Sequence, residues 1–273
     1  MEKNGIRIRW IYAACFELVL ANGVHIVTDP YITPRVPEEQ FSLDQIEGAD
    51  YILITHTHYD HISDLKELAL KFHSRMIAGG NGIRELVRVF DLPFDLMYPV
   101  NPGEVLEFDD FTLEVSRARH SLLGKPELPA SDLNGAGKRI YGVDGLDEVM
   151  AYGYLESLDF TVTALDNTRV MMASGNTILR NGLNTARKNA PNILLRQTSK
   201  ALKPEEYGRL VASYRAAVNF PFHHENLQKK SGWNLAEYME KADRTLREAA
   251  PGAQLVNPEP YRWYEISMET RLN

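Results

Sequence analysis

The chain has 273 residues, 44% of them hydrophobic and 25% charged, an ordinary globular composition that excludes a disordered chain. A formal net charge of −7 excludes a general grip on nucleic acid, which needs clustered Lys and Arg, and no stretch approaches the ~20 apolar residues of a membrane span. Cys15 is the single cysteine, so no intrachain disulfide forms, and without an apolar leader the chain reads as cytoplasmic.

The first 30 residues predict a β-meander. Ile6, Ile8 and Trp10 alternate in one run. Phe16–Leu20 forms a second run, Asn22-Gly23 a hairpin turn, and Val24–Thr28 a third run. Pro30, Pro34 and Pro37 mark a loop. Ala49–Thr55 reads as a buried strand. Ser63–Phe72 reads as a helix capped by Ser63, with Leu65, Leu68, Ala69 and Phe72 on one face. Met76–Ala78 predicts a short strand, Gly82–Phe90 a helix, and Val105–Phe108 with Phe111–Ser116 a hairpin. Residues 121–150 are rich in Gly, Pro, Asp and Asn and predict an active-site loop or lid. Strands are expected at Ala151–Leu155, Phe160–Ala164, Val170–Ala173, Asn192–Leu195 and Ala216–Phe220. Helices are expected at Thr177–Asn189, Pro204–Tyr214 and Asn234–Ala249. This order predicts two sheets packed face to face with helices outside, in one domain over residues 1–273.

The run "YILITHTHYDHISD", Tyr51 to Asp64, carries the chemistry. Side chains alternate on an extended chain, so His56 and His58 can point the same way from a strand end. Asp60 and His61 follow in the turn toward the next helix. Imidazole and carboxylate donors without a thiolate suit Zn²⁺ and its neighbours. Two donors two residues apart can share one ion, and the two after the turn can face another.

"THTHYDH" resembles the metal-binding signature of the metallo-β-lactamase superfamily, and further signposts follow in that family's order. "IVTDP" resembles its early strand ending in a structural aspartate, here Asp29. "RARHS" resembles its strand-end histidine, here His120. "MASGNT" falls where the family carries its bridging residue, and "PFHH" resembles its final histidine. The resemblance spans residues 6–266. It implies a four-layer αββα sandwich of two mixed sheets. It implies His56, His58 and His120 on one metal, and Asp60, His61 and His223 on a second. The Pro-x-His form favours His223 over His224, leaving His224 as a hydrogen-bond donor behind the ligands or as a substrate contact. Where the family has a bridging aspartate, this chain has Asn176, an uncharged amide that bridges poorly. The second site is then expected to be weaker or unfilled, unless Asp144, Asp147 or Asp166 compensates.

The implied cofactor is Zn²⁺, one ion or two, with Mn²⁺ or Fe²⁺ as alternatives. The implied chemistry is hydrolysis: a metal lowers the pKa of bound water from ~15.7 to ~7, and the hydroxide attacks a lactone, ester or phosphodiester of a small, phosphorylated or unphosphorylated substrate. Asp60 and His61 are the catalytic candidates. The "IVTDPY", "ARHS" and "PFHH" segments are most similar to the lactonase-like branch. The different reading, motivated by Asn176, is a metal-binding sensor or scaffold with little hydrolytic activity. Arg180, Arg196 and Lys200 are candidates for phosphate contact. Tyr59 either lines the pocket or packs outward as a spacer. Tyr141, Tyr152 and Tyr154 flank the 121–150 loop, where packing is their expected role. The expected partner is a small molecule, and a homo-oligomer is compatible with the branch.

Overall fold

The computed structural model describes residues 5–120, 138, 141–175, 180–199, 201–225, 227 and 232–267, without the side chains of 180–182. Two mixed sheets of seven strands each form among the described residues. The first begins as the expected meander: β1 (Ile6–Tyr12), β2 (Cys15–Val19) and β3 (His25–Thr28) are antiparallel neighbours. It continues in parallel through β4 (Tyr51–Leu53), β5 (Arg75–Gly79) and β6 (Met97–Val100). The second contains β7 (Val105–Glu107), β8 (Phe111–Ala118), β9 (Ser157–Ala164), β10 (Arg169–Ala173), β11 (Ile193–Gln197), β12 (Val218–Phe222) and β13 (Gln254–Leu255). There β10 to β13 run parallel, and β7, β8 and β9 pair antiparallel. A last strand, β14 (Trp263–Ile266), returns to the outer edge of β1.

The alternation of each strand divides its side chains between two cores. Tyr51 and Leu53 face the second sheet, beside Ile8, Phe16, Phe160, Met172, Leu195 and Phe222. Ile52 and Ile54 point outward, onto Ile62, Leu65, Leu68, Leu86 and Val149. Cys15 is buried in that outer cluster, as expected of a small apolar side chain. On the far side, Met171 and Leu194 pack under Tyr207, Leu210, Tyr238 and Leu246. Strands buried on both faces need continuous apolar runs, which is why "YILI" and "ILL" carry no polar residue.

The helices that cover the first sheet are α1 (Tyr59–Ile62), α2 (Leu65–Phe72), α3 (Ile83–Phe90) and α4 (Leu146–Leu155). Those over the second are α5 (Arg180–Lys188), α6 (Pro204–Ala212) and α7 (Leu235–Ala249). The four layers are those of the expected αββα sandwich. No described helix is long and apolar enough to cross a membrane.

Three local expectations are corrected. Ser63 does not cap α2; it closes the single turn of α1, and Asp64 precedes α2. The Asp64 carboxylate is engaged elsewhere, accepting from the Ile32 and Thr33 amides and the Thr33 hydroxyl. Residues 151–155 belong to helix α4, not to a strand. Asp147 and Glu148 occupy its first turn after Gly145, and Leu146, Val149 and Gly153 are buried at helical spacing. Strands β6, β13 and β14 were not anticipated: β13 has two residues, and β6 carries Pro99, which an edge strand tolerates. Of the anticipated lid, residues 121–137, 139 and 140 lie outside the described residues, and its last part is the start of α4.

Candidate metal centre

Pairing directions put the ends of the site-bearing strands on one rim. Strand β4 runs with β3, and β8 runs antiparallel to β9, which runs antiparallel to β10; β8 therefore shares the direction of β10 to β12. The residues just past β3, β4, β8 and β12 are Asp29, His56, His120 and His223.

Asp29 organises the start of the metal motif. Its backbone is left-handed, with φ 39°, and its side chain is fully buried. Its carboxylate accepts from the Thr55 amide at 2.7 Å and from the Thr55 hydroxyl at 2.7 Å. It also holds His61 Nδ1 at 2.8 Å. With Nδ1 engaged, His61 Nε2 is directed into the site, where it lies 3.3 Å from His223 Nε2. Asp60 Oδ1 lies 3.8 Å from the same His61 nitrogen. The single turn of α1, closed by the His61 amide on the His58 carbonyl, separates this group from His56 and His58.

His223 sits at φ 55°, and its amide donates to the carbonyl of Ala13, in the β1–β2 turn of the other sheet. Its Nδ1 meets Glu225 Oε1 at 2.9 Å, so Nε2 is the atom presented inward. Glu225 was not anticipated. A carboxylate two residues past a ligand-type histidine is the signal for it, because such histidines are oriented through their other ring nitrogen.

Donor atoms gather in two groups. One from each of His56, His58 and His120 lies within 4.8 Å of the others, and so do those of Asp60, His61 and His223. The groups abut, with the His56 and His61 ring centroids 3.8 Å apart. Burial first, and then the neighbouring imidazoles, push His56 and His58 well below the ordinary histidine value, so both are neutral donors at pH 7. At His61 burial opposes the charged form, but the Asp29 and Asp60 carboxylates outweigh it and raise the pKa. At Asp60 burial also opposes charge, yet His61, His223 and His58 bring the carboxyl down to about 2.

The residues fit a divalent ion on one observation above all. The Nε2 atoms of His56 and His58 are buried and have no hydrogen-bond partner. A buried polar atom left unpaired costs roughly 1–3 kcal/mol, and two such atoms converging beside a third imidazole are explained by a shared cation.

Other candidates fall elsewhere. His224 is buried, with its ring 4.4 Å from Trp10, and belongs to neither group. Tyr59 is half-buried and stacks on Tyr141 at 4.2 Å, with an edge contact to Tyr31. Arg196 is buried at 2% exposure and donates to the Ala173 carbonyl, so it is closed to a substrate phosphate. Asn176, Lys200 and the Arg180 side chain lie outside the described residues. Asp144 pairs with Lys138, and the Asp166 carboxylate accepts from the Thr168 amide.

Two abutting His/Asp donor groups thus sit on the rim of an αββα sandwich. Residues 25–141 match the model of the beta-lactamase superfamily domain. The chain is 34% identical over 149 residues to a UPF0173 metal-dependent hydrolase of Sulfurisphaera tokodaii, covering 53% of this chain and 64% of that protein. It thus covers less than two thirds of that relative's length. Its fold is similar to that of Igni18, a metallo hydrolase from Ignicoccus hospitalis, with a TM-score of 0.68 at 16% identity, covering 97% of this chain and 99% of that one. It is also similar to an isothiocyanate hydrolase from Delia radicum gut bacteria, with a TM-score of 0.64 at 15% identity, covering 96% of this chain and 99% of that one. Over residues 25–141 the chain thus resembles the beta-lactamase superfamily domain, and its fold is that of the two metallo-hydrolase structures.

Proposed function

We propose that this chain is a metal-dependent hydrolase of small lactones, esters or phosphodiesters, of the lactonase-like kind. The paired, unpartnered Nε2 atoms of His56 and His58 carry the reading. His56, His58 and His120 would hold one ion, and Asp60, His61 and His223 a second. The all-imidazole and carboxylate donor set favours Zn²⁺. When bound, such ions supply Lewis acidity and lower the pKa of water toward neutrality.

The chain's own residues would do the rest. Asp60 is ionised at neutral pH and partly exposed, so its Oδ1 can accept a hydrogen bond from a reacting group and orient it. Asp29 and Glu225 would fix the tautomers of His61 and His223, and so decide which nitrogen is offered to the second ion. The test is metal content per chain by plasma emission spectroscopy, with turnover on a lactone, an ester and a phosphodiester. His58→Ala is expected to lose about one ion and at least ~100-fold in rate. Unchanged metal content would refute the assignment.

Asn176 favours a second reading, a metal-binding sensor or scaffold. Asn176→Asp separates the two: a gain of an ion together with turnover supports the sensor, and loss of turnover supports the enzyme.

A further inference from the structure

Helix α4 approaches the metal motif more closely than its sequence position suggests. Thr57 Oγ1 donates to the Val149 carbonyl at 2.7 Å. His58 Nε2 is buried and has no hydrogen-bond partner. Gly153 lies one turn further on. A Cβ there would stand 2.6 Å from His58 Cδ2 and 3.0 Å from the His58 amide nitrogen. The contact is therefore with the backbone of the motif as well as with the ring. Tyr154 then sets its ring edge-on to His58 at 4.2 Å and to His120 at 5.0 Å.

We propose that α4 is the positioning element of the His56/His58/His120 group, with Gly153 as the residue that permits it: Gly153 allows the helix to lie against the His58 ring, and the Thr57–Val149 bond ties the motif to the helix. This inference rests on the metal reading above. Its logic is steric. A methyl at 153 must displace either the helix or His58, and both movements turn Nε2 away from the shared point. A mid-helix glycine otherwise costs about 1 kcal/mol of helix stability, so its presence beside a ligand-type histidine has a geometric reason.

The test uses the full chain with Zn²⁺ competition against a chromophoric chelator and with Co²⁺ absorption spectra. The ion lost in His58→Ala defines the first site. Gly153→Ala is expected to weaken that ion 10–100-fold and alter its Co²⁺ spectrum, leaving the second ion in place. Glu148→Gly, at an exposed position on the same helix, loosens α4 without touching His58 and is expected to leave both affinities unchanged. Equal losses in the two variants, or wild-type binding in Gly153→Ala, would overturn the proposal. Should Gly153→Ala fail to fold, Thr57→Val removes the bond to Val149 and is expected to weaken the first ion several-fold, with unchanged binding again refuting the idea. A wild-type chain that binds no ion would instead sink the metal reading itself.

Discussion

At the scale of single residues, the site is held by carboxylates that never reach a substrate. Asp29 accepts from Thr55 twice and fixes His61, all in a buried setting where an unmatched donor would be costly. Asp29→Asn keeps the shape but removes the charge opposite His61 Nδ1. It is expected to weaken the second ion by about 10–100-fold while the first changes little, as read by competitive Zn²⁺ titration. The same experiment on Glu225→Gln is expected to give a smaller loss, about 10-fold, because the Glu225 carboxylate is partly exposed where Asp29 is fully buried. As candidate donors, His56, His58, Asp60 and His61 could be read from the sequence because they fall within six positions. Glu225 and Gly153 were not, because their roles depend on what the fold sets beside them.

At the scale of elements, helix packing fixes which small residues are replaceable. Gly208 of α6 faces α7: a Cβ there would clash with the Ala242 carbonyl oxygen and lie 2.9 Å from Thr245 Cβ. The helix preference of alanine, about 1 kcal/mol over glycine, opposes this clash, but backbone cannot rotate away as a side chain can. Gly208→Ala is expected to lower stability by about 1–2 kcal/mol net, seen as a lower urea midpoint with unchanged slope. Most elements could be read from periodicity because each has one apolar face. Helix α4 could not. Tyr152 and Tyr154 alternate as in a strand, and only the packing of Leu146 and Val149 into the outer core shows the helical period.

At the scale of the whole molecule, one buried charge links sheet stability to pH. Asp159 of β9 is 6% exposed and accepts from the Ser174 amide at 2.8 Å. Burial pushes its carboxyl up to about 6, against the pull of Arg196 and of the Ser174 and Gly175 amides. Between about pH 4 and 6 the folded chain thus keeps a proton that the unfolded chain has released. This group's contribution is complete below the unfolded value and is lost as pH rises through 6. Asp159→Asn is expected to remove a fall on the order of 2–3 kcal/mol across that window, measured as the wild-type minus variant difference in urea stability at each pH.

The sequence by itself determined the two-sheet plan and the first half of the site. A buried parallel strand must be continuously apolar, and a His-x-His-x-Asp-His run needs no partner from elsewhere to declare its donors. Tertiary structure decided what completes the site. His120 and His223 reach it because β8 and β12 share a direction in the second sheet, and Asp29, Glu225 and Gly153 act across loops and layers. Those relations depend on which strands pair and which helix covers them, and they arise only when separate apolar faces close on one another.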